Sequence, residues 1–199
     1  MNQAIPLLLL SLLAQPLTAI AETSNSANTQ RWVAHPDNSS LTFTATQEGA
    51  EFTGRFHRFS VSLKMQTTKN SIELQQLTAI IQLASVDTQY QERDDYLAEE
   101  DWFYTQLWPE ARYTSETIRK IDAGHYIAEG TLALRGISLP MQVKLEMTLA
   151  ANGERGQLNG SAVVNRLDFG VGQGDWKTTE WIGAAVSVEF ELELLRAFE

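Results

Sequence analysis

The sequence predicts an all-β protein, an antiparallel sheet closed as a barrel around an apolar interior, made as an export precursor. Three observations predict it. Six stretches alternate apolar and polar residues with a period of two. Short glycine-bearing segments separate several of those stretches. The amino terminus carries a brief apolar run that ends in small residues.

The amino-terminal run extends from Ile5 to Leu17, and Thr18-Ala19-Ile20-Ala21 follows it. Ala19 and Ala21 are the small residues that a signal peptidase requires, so residues 1–21 read as a signal peptide cut after Ala21. No Lys or Arg precedes the run, and Pro6 and Pro16 lie within it. It is shorter than the roughly 20 apolar residues of a spanning helix, and a retained anchor is the alternative reading. Residues 22–30 are polar and read as a disordered leader, which leaves residues 31–199 as one domain.

The strands follow in order. Leu41, Phe43 and Ala45 alternate with threonines; Phe59, Val61, Leu63 and Met65 alternate with Ser60, Ser62 and Lys64. Leu77, Ala79, Ile81 and Leu83 form a third set, and Tyr126, Ala128, Leu132 and Leu134 a fourth. Met141, Val143, Leu145, Met147 and Leu149 form a fifth, and Val186, Val188, Phe190, Leu192 and Leu194 a sixth. Each period of two gives one apolar and one wet face. Asp122-Ala123-Gly124, Arg135-Gly136-Ile137-Ser138 and Asn152-Gly153-Glu154 are hairpin connections. Such strands either stack as two sheets or close on themselves, and closure leaves no edge exposed. About eight closed strands can enclose one ligand.

One segment breaks the pattern. Gln89 to Trp108 is acidic, lacks period two, and reads as one or two short helices ending at Pro109, with Asp101 as N-cap of the second. Its acids are a solvated face.

Composition excludes much chemistry. There is no cysteine, so disulfides, thiolate metal sites and a cysteine nucleophile are absent. The net charge of −10 repels nucleic acid and anionic head groups. His35, His57 and His125 lie far apart, without metal-ligand spacing. No Gly-x-Ser-x-Gly turn occurs, and Gly170, Gly172 and Gly174 are wrongly spaced for a dinucleotide site. Glu99 and Asp101 are surface acids rather than an acid–base pair. The chain therefore reads as a binding protein with no catalytic residues, no metal and no required cofactor.

Aromatic residues carry more information. Trp102, Phe103, Tyr104 and Trp108 cluster in the insert, Trp176 and Trp181 follow the glycine-rich loop, and Phe43, Phe52, Phe56 and Phe59 lie early. Core filling is their default role. Long connections are also where the rim of a barrel pocket is built.

Several segments together resemble the YceI-like family. They are Trp32 to Phe43, Gly54-Arg55-Phe56, Ala84 to Thr88 with Arg93-Asp94 and Leu97, and Asp101-Trp102-Phe103. Trp108 to Ser115, Gly130 to Ile137 and Asn165 to Gly170 complete the set. The resemblance implies an extended lipocalin-like, eight-stranded antiparallel β-barrel with a short helical insert. It also implies a periplasmic protein that holds a polyisoprenoid or an isoprenoid quinone. Gly174-Asp175-Trp176 is similar to the branch associated with membrane b-type cytochromes, which would make such a cytochrome a partner. A homodimer is left open.

Alternation then assigns the pocket. Phe43, Leu83, Leu132, Leu134, Met141, Val143, Val164, Val188 and Phe190 are expected to line the tail. Tyr113, Tyr126, Trp102, Phe103, Phe169 and Trp176 are expected nearer the opening. Arg166 and Asp168 are candidate head-group contacts, with a structural ion pair or turn anchor as the simpler role. The leading expectation is a periplasmic carrier or store for an isoprenoid lipid or quinone. The alternative is an accessory protein of a membrane redox system whose barrel holds no lipid.

Overall fold

The computed structural model describes residues 29–67 and 71–197. The expected signal peptide and most of the leader lie outside the described residues. The order is β1 (Thr29–Gln47), β2 (Ala50–Phe56), β3 (Phe59–Thr67), β4 (Ile72–Gln82), β5 (Val86–Asp87) and α1 (Gln91–Ala98). Then come β6 (Glu110–Lys120), β7 (His125–Leu134), β8 (Ile137–Leu149), β9 (Arg155–Asn165) and β10 (Ala185–Arg196). The first strand starts at Thr29, two residues before the expected domain boundary, because Thr29 and Gln30 already pair with Gln66 and Met65.

Every pairing is antiparallel, and β1 closes the ring by joining β10. The closed circuit is β1-β3-β4-β6-β7-β8-β9-β10, an eight-stranded barrel. β2 extends β3 upwards: the start of β1 pairs with β3, its end with β2. β5 adds a two-residue bridge to β2. A register shift between Ala34 and Ser39, where Pro36 offers no donor, bends β1 so that one strand serves both neighbours.

The expected faces are the observed ones. Leu63, Met65, Leu77, Ala128, Leu145, Met147, Leu192 and Leu194 all point into the buried core. The Arg135-Gly136 turn has φ of 51° and 74°, the left-handed pair that a two-residue hairpin needs.

Two seams are incomplete. β4 and β6 pair only over Thr78–Gln82 and Glu110–Thr114. Below that point the buried hydroxyl of Ser115 accepts the N–H of Leu77 at 2.8 Å. β8 and β9 pair only from Lys144 onwards, so Pro140 sits on a stretch with no ladder partner in β9.

The insert forms one helix rather than two. Asp94 accepts the backbone N–H and the hydroxyl of Thr88, at 2.9 and 2.7 Å, which fixes the entry to α1. The helix stops at Ala98, and Tyr104 has φ of 53°, so the following residues form tight turns. Asp101 caps no helix. Its carbonyl instead accepts the N–H groups of Gly172 and Gln173, tying the insert to the glycine-rich loop.

Candidate functional site

The barrel is solid at one end and hollow at the other. Trp32, Leu63, Met65, Leu158 and Leu194 fill the solid end, each at most 1 % exposed. Above them lies a cavity of about 440 Å³. Its floor is Leu77, Tyr113, Val143 and Leu192, and its wall includes Phe43, Val61, Ala79, Ile81, Leu132, Leu134, Ala162, Val188 and Phe190. These are inward positions of all eight barrel strands, so the lining is almost wholly apolar.

Two elements lie at the open end. One is α1 with its flank, where Tyr90 and Tyr96 line the cavity yet remain 53 % and 54 % exposed. The other is the β1–β2 hairpin, which supplies Gln47 and Phe52. Beneath the mouth runs a chain of touching rings. Phe43 lies 6.2 Å from Phe52 and 5.6 Å from Phe56, and Phe56 lies 6.2 Å from Phe103.

The remaining lid comes from the segment 166–183. Arg166 is 3 % exposed and has no acidic partner among the described residues. Its Nε donates to the carbonyl of Gly183 at 3.0 Å and Nη1 to that of Val171 at 2.8 Å. Nη2 donates to the carbonyls of Trp176, Thr178 and Ile182 at 2.8, 3.1 and 2.9 Å. Five carbonyls thus converge on one guanidinium, and burial pushes its pKa down from the usual value. Its plane lies 5.7 Å from the ring of Trp102, which sits 5.6 Å from Trp176. Both tryptophans line the cavity.

Fourteen of the positions read from the sequence line this cavity: Phe43, Leu83, Trp102, Phe103, Tyr113, Leu132, Leu134, Met141, Val143, Val164, Arg166, Trp176, Val188 and Phe190. Three stand elsewhere. Tyr126 is buried in the solid end, where its hydroxyl donates to the Ile72 carbonyl at 3.1 Å across the open β4–β6 seam. Phe169 is buried behind the wall, because the one-turn helix Arg166–Phe169 rotates it away from the lumen. Asp168 is exposed and accepts from Asn165 at 3.0 Å within that same turn. Tyr113 belongs to the floor rather than the opening. Its hydroxyl donates downward to the carbonyl of Ala128 at 3.2 Å, and burial, aided by Glu116 and Glu129, pushes its pKa up to about 12.

Sequence reading missed the wall residues of β2 and of α1. Phe52 and Phe56 alternate over too few residues to register as a strand. Tyr90, Arg93 and Tyr96 were hidden in the acidic run, although Arg93 and Tyr96 lie three apart on one face of α1 and Tyr90 immediately precedes it.

No group of three His, Asp or Glu side chains suited to a metal occurs among the described residues. No helix among them is long and apolar enough to cross a membrane.

Comparison with known proteins agrees with this geometry. A UPF0312 protein of Photorhabdus laumondii is 37 % identical over 67 residues, which is 34 % of either chain. A UPF0312 protein of Shewanella baltica is 26 % identical over 139 residues, 67 % of this chain and 72 % of that one. Among solved structures, BcnA of Burkholderia cenocepacia superposes with a TM-score of 0.73 at 25 % identity, covering 80 % of this chain and 98 % of the other. A polyisoprenoid binding domain from Saccharophagus degradans, implicated in plant cell wall breakdown, shares the fold with a TM-score of 0.59 at 16 % identity. It is covered over its whole length by 85 % of this chain. Residues 32–194 match the YceI-like domain, and the chain belongs to that family.

Proposed function

We infer that this protein is an exported binding protein that shields one isoprenoid chain, a polyisoprenoid or the tail of an isoprenoid quinone, inside its barrel. The observation that carries the reading is the hollow upper half, lined by aliphatic and aromatic side chains and open beside α1. A cavity of that character gains by burying hydrocarbon. The polyisoprenoid-binding name of a structural neighbour supports the chemical class.

Magnitudes support the reading too. Each five-carbon unit buried is worth on the order of 3–4 kcal/mol gross, at ~0.8 kcal/mol per methylene. Ordering the chain and restricting its motion offset much of that. A few units are therefore enough for retention. A quinone cargo would place the protein beside membrane redox partners such as a b-type cytochrome.

Delipidated protein titrated with farnesol tests the reading. Trp102 and Trp176 stand in the wall, so their fluorescence should change saturably with one equivalent. An unchanged spectrum, together with no heat of binding, would count against an isoprenoid site.

A further inference from the structure

Two arginines line the cavity, and they are in opposite states. Arg166 is saturated by five carbonyls and has no role left except holding the lid. Arg93 stands at the mouth on α1, partly buried, with its guanidinium 3.9 Å from the ring centre of Phe52 and 5.6 Å from that of Tyr90. Among the described residues no carboxylate forms an ion pair with it, although α1 is acidic.

The neighbouring acids have other partners. Glu92 accepts from the hydroxyl of Tyr90 at 2.6 Å. Asp94 is held by Thr88 through its N–H and hydroxyl. Asp95 accepts from the side chain of Gln91 at 2.8 Å. Stacking on Phe52 holds the Arg93 fork at the rim of the chamber, which Glu92 also lines, its carboxylate engaged by Tyr90. A planar fork of donors matches paired oxygens of a phosphate or carboxylate.

Resting on the isoprenoid reading above, we propose that Arg93 is the head-group residue of this site, and that the preferred cargo ends in an anionic oxygen group rather than a neutral alcohol. The tail enters between Phe52 and Tyr96, and the head stays at the rim against Arg93. Affinity for the chain belongs to the wall; discrimination between heads belongs to this one side chain.

The test compares farnesol, farnesyl phosphate and inorganic phosphate on delipidated full-length protein, wild type and Arg93→Gln, by tryptophan fluorescence and calorimetry. Wild type should bind farnesyl phosphate about tenfold or more tighter than farnesol, the scale of one charge-assisted hydrogen bond. Arg93→Gln should bring that ratio close to one, whatever change the lost stacking on Phe52 makes to farnesol itself. Arg93→Lys, which keeps the charge but not the fork, should fall between. Equal affinities in wild type, or a ratio that survives Arg93→Gln, would overturn the assignment. So would inorganic phosphate displacing farnesyl phosphate at comparable concentration, which would reveal a plain anion site. A purely structural Arg93 would weaken both ligands alike. Failure of farnesol itself to bind would instead count against the isoprenoid reading.

Discussion

Phe190 lies over the backbone of Gly160, its cross-strand partner: a Cβ on Gly160 would come 2.1 Å from Phe190 Cζ. Phe43 covers Gly54 in the same way, with 2.3 Å to its Cζ. The cavity exists partly because these two rings fold flat onto bare strand instead of standing in the lumen. Glycine inside a strand normally weakens it, and here the ring restores the missing packing.

Gly160→Ala should therefore act on binding more than on stability. The ring has somewhere to go, namely the cavity, so the cost in urea unfolding should stay within about 1 kcal/mol. Farnesol affinity should fall as the chamber shrinks. Gly130→Ala is the contrasting case, because its Cβ would meet the Thr114 carbonyl oxygen at 2.2 Å and the Cα of Ser115 at 2.6 Å. Backbone cannot swing aside, and a loss of roughly 2–3 kcal/mol or more is expected. Similar losses for the two variants would contradict the account.

Arg166→Gln should release the lid. Five carbonyls lose one shared donor group, and those that water cannot reach stay unsatisfied. The expected cost is at least about 3 kcal/mol in chemical unfolding, with new protease cleavage within residues 171–183. Arg166→Lys should fail almost as badly, because one ammonium cannot span donors placed by a planar fork. Normal stability in either variant would remove the clamp from the account.

Tyr113 gives a pH signature. Its phenol is neutral when protonated, and the fold raises its pKa to about 12, so the unfolded chain loses this proton first. Stability from this group is complete below the unfolded value of about 10 and is lost as pH climbs from there through about 12. Unfolding free energy measured between pH 9 and pH 12 should decline in wild type, and Tyr113→Phe should show a shallower decline. An identical pH profile for the variant would rule the assignment out.

The barrel was legible because alternation survives in strands such as Phe59–Thr67 and Ile137–Leu149, whose outward residues are polar. β9 was harder. Its inward positions are Leu158, Gly160, Ala162 and Val164, too small and mixed to give a clear period, since Phe190 supplies the bulk from the next strand. The boundary between solid and hollow halves left no mark in the pattern. Val143 on the cavity floor and Leu145 in the packed end sit on one face two residues apart, and only the volumes meeting them across the barrel distinguish them. Tyr113 and Tyr126 were confounded for the same reason. Asp168 takes the simpler of its two expected roles, a turn anchor that accepts from Asn165 beside the short helix Arg166–Phe169.

The central claim is that the upper barrel is a chamber occupied by an apolar chain. Its most direct test is organic extraction of natively purified protein, with mass spectrometry of the extract, run beside Ala79→Phe combined with Ala162→Phe, which should fill the chamber while leaving the fold intact. Wild type should release close to one equivalent of an isoprenoid, and the blocked protein almost none. A wild-type extract free of any isoprenoid, or equal recovery from both proteins, would contradict the claim.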